Sequence, residues 1–157
     1  MDWSNLMNEV RNRLFHLYFR LSRPMTLGVR AAVLDQQGRV LLVRHSYTPG
    51  WHMPGGGVEP GETMLEALAK ELREEAQVAY FGEPLLHGIF YNPRYSRRDH
   101  VAVYIVREFR SLGEHKPDRE ILESGFFPLE SLPDATTQAT RARLAEIAGE
   151  RPVSPRW

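Results

Sequence analysis

The stretch GGGVEPGETMLEALAKELREEAQV, residues 55–78, joins a glycine-rich turn to a segment that is crowded with acidic side chains. In a helix, Glu71, Glu74 and Glu75 would fall within one turn. Carboxylates three and four residues apart on a helix repel one another by about a few tenths of a kcal/mol per pair. This crowding is unfavourable for a helix alone, and the surrounding residues indicate what offsets it.

The segment after the turn has the pattern of an amphipathic helix. Thr63 followed by Glu66 matches a capping box, which predicts a helix from Thr63 to about Ala76. At about 100° per residue, the apolar side chains share an arc of roughly a third of a turn, which predicts a buried stripe. The members of this stripe are Leu65, Leu68, Ala69, Leu72 and Ala76. The three glutamates lie roughly a quarter to a third of a turn from the stripe, so we expect them in a crevice at its border.

The acidic cluster has the residue types of a divalent-metal site. Carboxylates in a crevice are costly unless a cation occupies it. Hard oxygen ligands favour Mg²⁺, Mn²⁺ or Ca²⁺, and Mg²⁺ is commonly completed by substrate phosphates. Backbone amides at the junction of a glycine-rich loop and a helix suit phosphate. A solvated acidic helix face is the alternative, but the loop and the cluster together favour cleavage of a phosphoanhydride.

The same run resembles the Nudix box, G-x5-E-x7-R-E-U-x-E-E-x-G-U, in which U is an aliphatic residue. Seven of the nine fixed positions match at the right spacing, and the nine positions read Gly56, Glu62, Lys70, Glu71, Leu72, Glu74, Glu75, Gln77 and Val78. The segments GWHMPGG and GFFPLESLP also look like parts of such domains, so the resemblance covers about residues 28–133. It implies an α/β fold, a Nudix-type α/β/α sandwich with a mixed β-sheet. The implied activity is Mg²⁺- or Mn²⁺-dependent hydrolysis of a nucleoside diphosphate linked to another group.

The resemblance also implies roles for individual residues. The implied metal ligands all offer oxygen atoms, and they are Gly55 through its carbonyl, Glu71, Glu74, Glu75 and, on a later loop, Glu120 or Glu123. Asp99 stands behind these last two as a candidate. The candidate catalytic residues are Glu71, Glu74 and Lys70, with Glu71 or a neighbouring carboxylate activating water. Glu62 is expected to orient the loop and the helix.

Two positions depart from the box. Lys70 stands where the Nudix box has an arginine. In the proteins that this chain resembles, that arginine looks like the residue that holds the first catalytic glutamate in place. Because lysine offers a point charge instead of a planar fork, we expect Glu71 to be held more loosely. Gln77 replaces the glycine that ends the helix. Since a left-handed conformation costs a non-glycine residue about 1–2 kcal/mol, we expect a different helix exit. Neither change removes a metal ligand, so we expect activity to survive.

Basic and aromatic side chains are candidates for binding the group attached to the diphosphate. Arg30 and Arg44 lie on predicted strands, where each faces either the pocket or solvent. Trp51 flanks the glycine loop and either packs or stacks on a base. The segment YNPRYSRRDH, residues 91–100, is a dense basic patch that suits a substrate loop or a solvated turn. Its candidate substrate-binding residues are Arg94, Tyr95 and Arg97.

The rest of the chain predicts one domain between two terminal segments. Residues 1–25 have apolar side chains at helical spacing and predict an amphipathic helix. This helix packs on its own domain or on a second subunit, and a membrane surface is the alternative. Residues 26–150 form the predicted Nudix domain, and residues 151–157 form a tail that we expect to fray.

The predicted strands lie on both sides of the central helix. Residues 27–35 and 39–47 read as two strands joined in a hairpin by a short turn. Further strands are expected at about 85–91, 100–109 and 124–129, and a final amphipathic helix at 136–149. This order of elements is typical of a mixed sheet covered by helices.

The composition limits the partners and the compartment. The 157 residues include 20 Lys plus Arg and 20 Asp plus Glu, so overall charge favours neither nucleic acid nor membrane. The chain has no cysteine, which excludes disulfides and thiolate chemistry and fits a reducing compartment. No signal-peptide pattern begins the sequence, and the longest apolar run, residues 101–106, is too short to span a bilayer. We expect a cytoplasmic protein with a small-molecule nucleotide substrate and no membrane partner. Nucleic acid is not expected, and a homodimer stays open.

Three functions are compatible with these residues. The first is hydrolysis of a nucleoside triphosphate or of a nucleotide sugar such as ADP-ribose. The second is a Nudix-fold module that senses a nucleotide without turnover, an alternative that the departures at Lys70 and Gln77 leave open. The third is pyrophosphate removal from RNA 5′ ends, which the arginines of residues 94–98 suggest because they would hold a polyanion.

Overall fold

The fold is built on two three-stranded sheets, with a helix at each outer side. The computed structural model describes the backbone of residues 3–157 and the side chains from residue 7 onward. In chain order, the elements are α1 (Trp3–Ser22), β1 (Thr26–Val33), β2 (Val40–His45), β3 (Trp51–His52), α2 (Met64–Ala76), β4 (Val78–Tyr80), β5 (Leu85–Tyr91), β6 (Asp99–Val106), β7 (Phe109–Ser111), β8 (Ile121–Phe127), a 3-10 helix (Leu129–Ser131) and α3 (Gln138–Ile147). Every predicted element is present. The short strands β3, β4 and β7 were not predicted.

The first sheet is mixed, because β1 runs parallel to β6 and β5 runs antiparallel to it. The second sheet is antiparallel, in the order β3-β2-β8, and β4 pairs with β7 separately. The predicted hairpin between β1 and β2 is therefore wrong, and a single bridge joins Leu34 to Val40. The free edge of β1 is taken by the glycine loop instead, since the N–H groups of Val29 and Ala31 donate to carbonyls of residues 56 and 54.

Two apolar cores lie on opposite faces of the sheets. Helix α2 covers one core, whose strand residues include Val29, Ala31 and Val43. Leu144 of α3 and Trp157 of the tail contribute to the other. The sheets thus lie between helices, as the predicted sandwich requires.

The buried face of α2 differs from the predicted stripe. The buried residues of α2 are Ala67, Leu68, Leu72, Glu75 and Ala76. Leu65 is 40% exposed, and Ala69 is half-buried, so the prediction is wrong at these two positions. The helix is rotated so that Glu75 enters the protein, which costs desolvation energy and indicates a role for its charge.

Both ends of α2 follow capping motifs. The Thr63 side chain accepts a hydrogen bond from the Glu66 N–H, and the Glu66 carboxylate accepts one from the Thr63 N–H, which confirms the capping box. Gln77 ends the helix with φ 52° and ψ 45°, in the left-handed region. The expectation of a different exit is therefore wrong. The Gln77 Nε2 atom donates to the Arg73 carbonyl at 3.0 Å and partly offsets the strain.

Because Gln77 has a left-handed conformation at the end of α2, we expect Gln77→Gly to stabilise the protein. Glycine adopts a positive φ without the steric cost of a side chain, so we expect the free energy of unfolding to rise by about 0.5–1 kcal/mol after loss of the exposed side-chain bond. Urea denaturation measures the change. Gln77→Ala is the control, because it keeps the strain and loses the bond, and it should be no more stable than wild type. A less stable glycine variant contradicts the strain argument.

The C-terminal tail is docked along β5, so the expectation that it frays is wrong. The Tyr91 N–H donates to the Pro155 carbonyl and the Trp157 N–H donates to the Tyr91 carbonyl, each at 3.0 Å. Beneath the tail, the fully buried Arg143 donates to the Arg156 carbonyl. A buried cation that needs an acceptor explains why this polar tail is ordered.

Helix α1 stands apart from both cores. Its apolar side chains from Met7 to Leu21 are largely exposed, so the prediction that it packs on its own domain is wrong. Met1 and Asp2, the first residues of the predicted helix, lie outside the described residues. None of the described helices is long and apolar enough to cross a membrane.

Candidate active site

The glycine loop is held so tightly against β1 that a side chain is excluded. Gly55 has φ +145°, and a Cβ atom there would overlap the carbonyl of Val29 and the Cα atom of Arg30. The Val29 N–H donates to the Gly56 carbonyl, and the Val58 N–H donates to the Leu27 carbonyl, both at 2.8 Å. The loop therefore has a fixed backbone, and its Gly55 N–H group faces α2.

Glu75 is buried against this loop. Its side chain is 10% exposed, its Oε2 atom accepts a hydrogen bond from the Gly55 N–H at 2.8 Å, and its Oε1 atom lies 3.5 Å from Nε2 of His45. Burial raises the pKa of Glu75 to about 7. Burial, together with the charges of Arg30 and His52, lowers the pKa of His45 to about 4. His45 is thus neutral at neutral pH, and its contact with Glu75 is not an ion pair there.

Glu71 lies one turn before Glu75 and contacts the next glycine. Its half-buried carboxylate fills the space beside Gly56, where an added Cβ atom would come within 3.0 Å of its three terminal atoms. Burial raises the pKa of Glu71, and the neighbouring Glu74 adds to the rise. Glu74 itself is exposed. The two inward carboxylates therefore flank residues 55 and 56 from one helix face.

Arg30 is close enough to affect the pKa of both carboxylates, but its guanidinium binds the loop. Its Nη1 atom donates to the Met53 carbonyl at 3.1 Å and to the Gly55 carbonyl at 2.6 Å. The prediction that it faces either pocket or solvent missed this contact. The Gly55 carbonyl, a predicted metal ligand, is already an acceptor for Arg30. Arg30 lowers the pKa values of both Glu71 and Glu75, although burial outweighs it.

Lys70 does not anchor the first glutamate. Its Nζ atom lies 3.0 Å from an oxygen of Glu62, which precedes the helix. The hydrogen-bonded Glu62 carboxylate raises the pKa of Lys70. This ion pair ties the end of the loop to α2, in agreement with the expected role of Glu62. Lys70, a candidate catalytic residue, thus has its hydrogen-bonding partner in Glu62, which agrees with the expectation that Lys70 does not hold Glu71 firmly.

The two later acids separate in the structure. Glu120 is close enough to add to the raised pKa values of Glu75 and Tyr47. Glu123 instead forms an ion pair of 2.9 Å with Arg44 across β2 and β8, and both side chains are partly exposed. Glu120 is therefore the better placed of the two predicted ligands, and Arg44 is engaged by a carboxylate.

Asp99, the third candidate acid, has a structural position. It is buried, and its oxygens accept hydrogen bonds from the Thr26 hydroxyl at 2.7 Å and from the Asn92 side chain at 2.8 Å. These bonds tie the two ends of the loop between β5 and β6 to the start of β1. Asp99 is therefore not available as a metal ligand.

The remaining predicted substrate residues do not meet the carboxylates. The Trp51 ring packs edge-on against Phe127 with 4.9 Å between centroids, so it belongs to the core. Arg94, Tyr95 and Arg97 lie on the loop between β5 and β6, whose Arg98 carbonyl pairs with the first residue of β1. That point is four residues along β1 from Arg30, or roughly 13 Å.

His45 and Tyr47 are site residues that the sequence analysis missed. His45 is 6% exposed, and both of its ring nitrogens lack a hydrogen-bond partner within the described part of the chain. The alternation of β2 contained a signal, because His45 shares a face with Leu41 and Val43, which pack beneath α2. The sequence did not show that α2 places Glu75 against that face of β2, so the contact between Glu75 and His45 was not predicted.

The chemistry of the inward side chains fits a divalent cation. Glu75 is a buried carboxylate whose neighbour His45 is neutral, and Glu71 lies beside it with Glu120 within electrostatic range. Such carboxylates are costly without a cation, and oxygen ligands of this kind suit Mg²⁺ or Mn²⁺. Among the side chains that the structure describes, residues 7–157, no three acidic or histidine side chains form a ready-made cluster.

The raised pKa of Glu75 predicts a pH-dependent difference between wild type and Glu75→Gln in EDTA. A carboxyl group whose folded pKa is about 7, against a usual 4.5, stabilises the fold below pH 4.5 and loses that contribution as pH rises through 7. His45 has the opposite dependence, so the difference between the two proteins isolates Glu75. We expect the variant to gain on the order of 2 kcal/mol over wild type between pH 5 and pH 8, because one pKa unit corresponds to about 1.4 kcal/mol.

Urea denaturation at several pH values measures this difference. Glu130→Gln, which removes an exposed carboxylate on the 3-10 helix, is the matched control and should follow wild type at every pH. A constant difference between wild type and Glu75→Gln across this range contradicts a raised pKa.

Comparisons with known proteins agree with this geometry. A family model described as the NUDIX domain matches residues 24–146. Human 8-oxo-dGDP phosphatase NUDT18 is 30% identical over 136 residues, which are 83% of this chain and 41% of that protein. The ADP-ribose pyrophosphatase of Methanocaldococcus jannaschii is 31% identical over 104 residues, which are 64% of this chain and 61% of that protein. The chain thus spans less than two thirds of either relative.

A solved structure shows the same fold. The MutT NUDIX hydrolase from Burkholderia pseudomallei has a TM-score of 0.66 and 27% sequence identity, and the match covers 78% of this chain and 97% of that one. The predicted fold class, an α/β/α sandwich with a mixed sheet, is confirmed.

Proposed function

The chain belongs to the NUDIX family, and we propose that it is a pyrophosphohydrolase that cleaves a nucleoside triphosphate or a nucleotide sugar such as ADP-ribose with Mg²⁺ or Mn²⁺. The observation that carries the proposal is the placement of Glu71 and Glu75. Both carboxylates turn from one face of α2 toward Gly55 and Gly56, and Glu75 is buried without an ionised partner of its own. The names of the two relatives support a nucleotide substrate.

The cation would be held by Glu71 and Glu75, with Glu74 and Glu120 at the outer side. When bound, it supplies positive charge that offsets a pyrophosphate and lowers the pKa of water. Gly55 keeps Glu75 in place through its N–H group, and the Lys70–Glu62 pair fixes the loop relative to α2. The residues therefore hold the two carboxylates in a fixed relation, which reduces the reorganisation needed during reaction.

The protein groups have distinct parts in the proposed reaction. A water oxygen attacks one phosphorus of the anhydride, the bridging P–O bond breaks, and the leaving phosphate keeps the bridging oxygen. Glu71 is the proposed acceptor of the water proton, because its carboxylate lies beside the loop and is only half-buried. Arg30 fixes the loop backbone through two carbonyls and adds positive charge beneath the phosphates.

A substrate panel tests the proposal. Purified protein is incubated with nucleoside triphosphates, 8-oxo-dGDP, ADP-ribose and UDP-glucose, with Mg²⁺, Mn²⁺ or EDTA, and chromatography identifies the products. We expect a nucleoside monophosphate or diphosphate from at least one substrate in the presence of metal and none in EDTA. Tight nucleotide binding without any product would instead favour the sensor alternative.

The panel includes an RNA oligonucleotide with a 5′-triphosphate. The motivation is the exposed loop that carries Arg94, Arg97 and Arg98, which lies roughly 13 Å along β1 from Arg30. If RNA is the substrate, its affinity should fall steeply with added salt, because each phosphate contact releases counterions. A flat salt dependence excludes this loop as a polyanion site.

A further inference from the structure

Helix α1 presents an apolar face that the described part of the chain leaves uncovered. The side chains on this face are between 50% and 72% exposed, and they are Met7, Val10, Leu14, Leu17, Tyr18 and Leu21. At about 100° per residue they fall within an arc of roughly 100°, the width of a typical buried stripe. A continuous face of this kind on a water-exposed helix indicates a docking surface.

Arginines border this face on both sides. Arg13 and Arg20 lie along one border and Arg11 along the other, by their positions on the helix. Within the described helix, Glu9 is the one carboxylate, and it already accepts a hydrogen bond from Arg13 at 2.8 Å. Helix α1, Trp3–Ser22, contains three arginines and one glutamate, a net charge of +2, whereas the whole chain has a net charge of zero. Helix α1 therefore carries an excess of positive charge.

The charge pattern distinguishes between two kinds of partner. If two copies of α1 packed face to face, arginine borders would meet without free carboxylates opposite them, whereas paired helices commonly place opposite charges there. An anionic lipid surface supplies an apolar interior and negative charge along both borders at once. The long arginine side chains can bury their methylene groups beside the face and keep their guanidinium groups at the phosphates.

We propose that α1 is a peripheral docking helix for an anionic phospholipid bilayer. It lies along the interface, with the apolar face of Met7 to Leu21 inserted and Arg11, Arg13 and Arg20 at the headgroups. This replaces the expectation that the protein has no membrane partner, and it does not involve a spanning segment. The proposal is independent of the proposed hydrolysis, since α1 contributes no residue to the site between α2 and the glycine loop.

Vesicle flotation with the full chain tests the proposal. The protein is mixed at low salt with vesicles of phosphatidylcholine alone, or of phosphatidylcholine with about one third phosphatidylglycerol. We expect it to float with the anionic vesicles and to stay behind with the neutral ones. Added salt should weaken the binding, because surface charges are screened.

Three variants separate the contributions. Arg13→Gln with Arg20→Gln should weaken binding by roughly thirtyfold, since each arginine near an anionic surface contributes about a fivefold factor. Leu14→Gln with Leu17→Gln should abolish it while retaining good helix formers. Arg107→Gln with Arg110→Gln makes the same charge change on an exposed part of the β6–β7 region and should bind within about twofold of wild type. Circular dichroism and nucleotide hydrolysis check that each variant is folded.

The outcomes that overturn the proposal are specific. Absence of wild-type binding to anionic vesicles overturns it, and so does unchanged binding of the leucine variant. Sedimentation of wild type and of each variant measures the oligomeric state and tests the alternative that α1 binds a second copy of the chain. A wild-type dimer that the leucine substitutions dissociate, without vesicle binding, would assign this face to a second copy of the chain instead.

Discussion

Glu75→Gln is expected to lower kcat/KM for the preferred nucleotide by about 10²- to 10³-fold, while the protein stays at least as stable as wild type at pH 7.5. The amide oxygen of glutamine can still accept the hydrogen bond that the Gly55 N–H donates at 2.8 Å. Shape and packing are thus retained, and only the negative charge is removed. Because a buried neutral amide costs less to desolvate than a carboxylate, stability should not fall.

The combination of these two results is what identifies a functional charge. A residue kept for packing loses stability when it is changed, whereas a residue kept for its charge loses activity and can gain stability. Steady-state kinetics with Mg²⁺ and urea denaturation in EDTA measure the two quantities. Glu71→Gln should show a loss of activity of similar size. Glu130→Gln, on the exposed 3-10 helix, should change kcat/KM by less than about twofold.

Metal titration links the loss of activity to its cause. Calorimetric titration with Mn²⁺ should show weaker binding to Glu75→Gln than to wild type, by at least about tenfold, since a charged ligand is removed. If the variant keeps hydrolysis within tenfold of wild type, the placement of the cation at Glu75 would be wrong. Normal metal binding with lost activity would instead move the role of Glu75 from the metal to the reacting groups.

Local sequence patterns were enough to predict α2 and its loop. The capping residues Thr63 and Glu66 act within a single turn, and the spacing of the box fixes which side chains share a helix face. Five longer strands and the two terminal helices were also predicted close to their observed bounds. These features depend on interactions between residues that are near one another in the sequence.

Several of the errors concern partners that are not adjacent in the sequence. The hairpin prediction failed because the loop at residues 54–56 competes with β2 for the edge of β1. The contacts of Arg30 and Lys70 were not predicted, because their acceptors, Gly55 and Glu62, meet them only in the folded chain. A basic side chain has many acceptors within reach, so its partner cannot be deduced from spacing alone.

Gln77 shows a further limit of reasoning from residue type. A glutamine in the left-handed region has a strain of about 1–2 kcal/mol, which argued against a glycine-like exit. The observed exit satisfies two helix carbonyls through the backbone N–H, and the side chain bonds a carbonyl as well. The packing that follows at Val78, which is buried in the core beneath α2, fixes the chain direction. Tertiary packing therefore overrides a local preference of this size.

The docked tail depends on a buried ion pair, and Arg143→Met is expected to lower the free energy of unfolding by about 3–5 kcal/mol. Arg143 is 1% exposed, and its Nη2 atom donates to Glu146 at 2.6 Å. Its guanidinium lies 4.1 Å from the centroid of the Phe90 ring. Methionine fills a similar volume, so the loss reports on the charge rather than on a cavity. The substitution removes the Arg143 guanidinium and leaves the buried Glu146 carboxylate with His87 beside it.

The matched comparison is Arg39→Met, which breaks an ion pair of 2.7 Å with Asp35 near the surface. Exposed pairs contribute less than about 1 kcal/mol, so this variant should be only slightly destabilised. The double variant with Arg143→Met and Glu146→Met should be more stable than Arg143→Met alone, because it no longer buries an unpaired carboxylate.

Hydrogen exchange connects this ion pair to the tail. The amides of Tyr91 and Trp157 donate across the junction between β5 and the tail, and their exchange should quicken in Arg143→Met more than that of β1 amides. The reason is that Arg143 binds the Arg156 carbonyl and Glu146 accepts from the Ser154 N–H, so one buried pair holds the tail at two points. Uniformly faster exchange would mean that the pair stabilises the whole fold rather than the tail. A loss below about 1 kcal/mol would show that this buried pair contributes no more than a surface one.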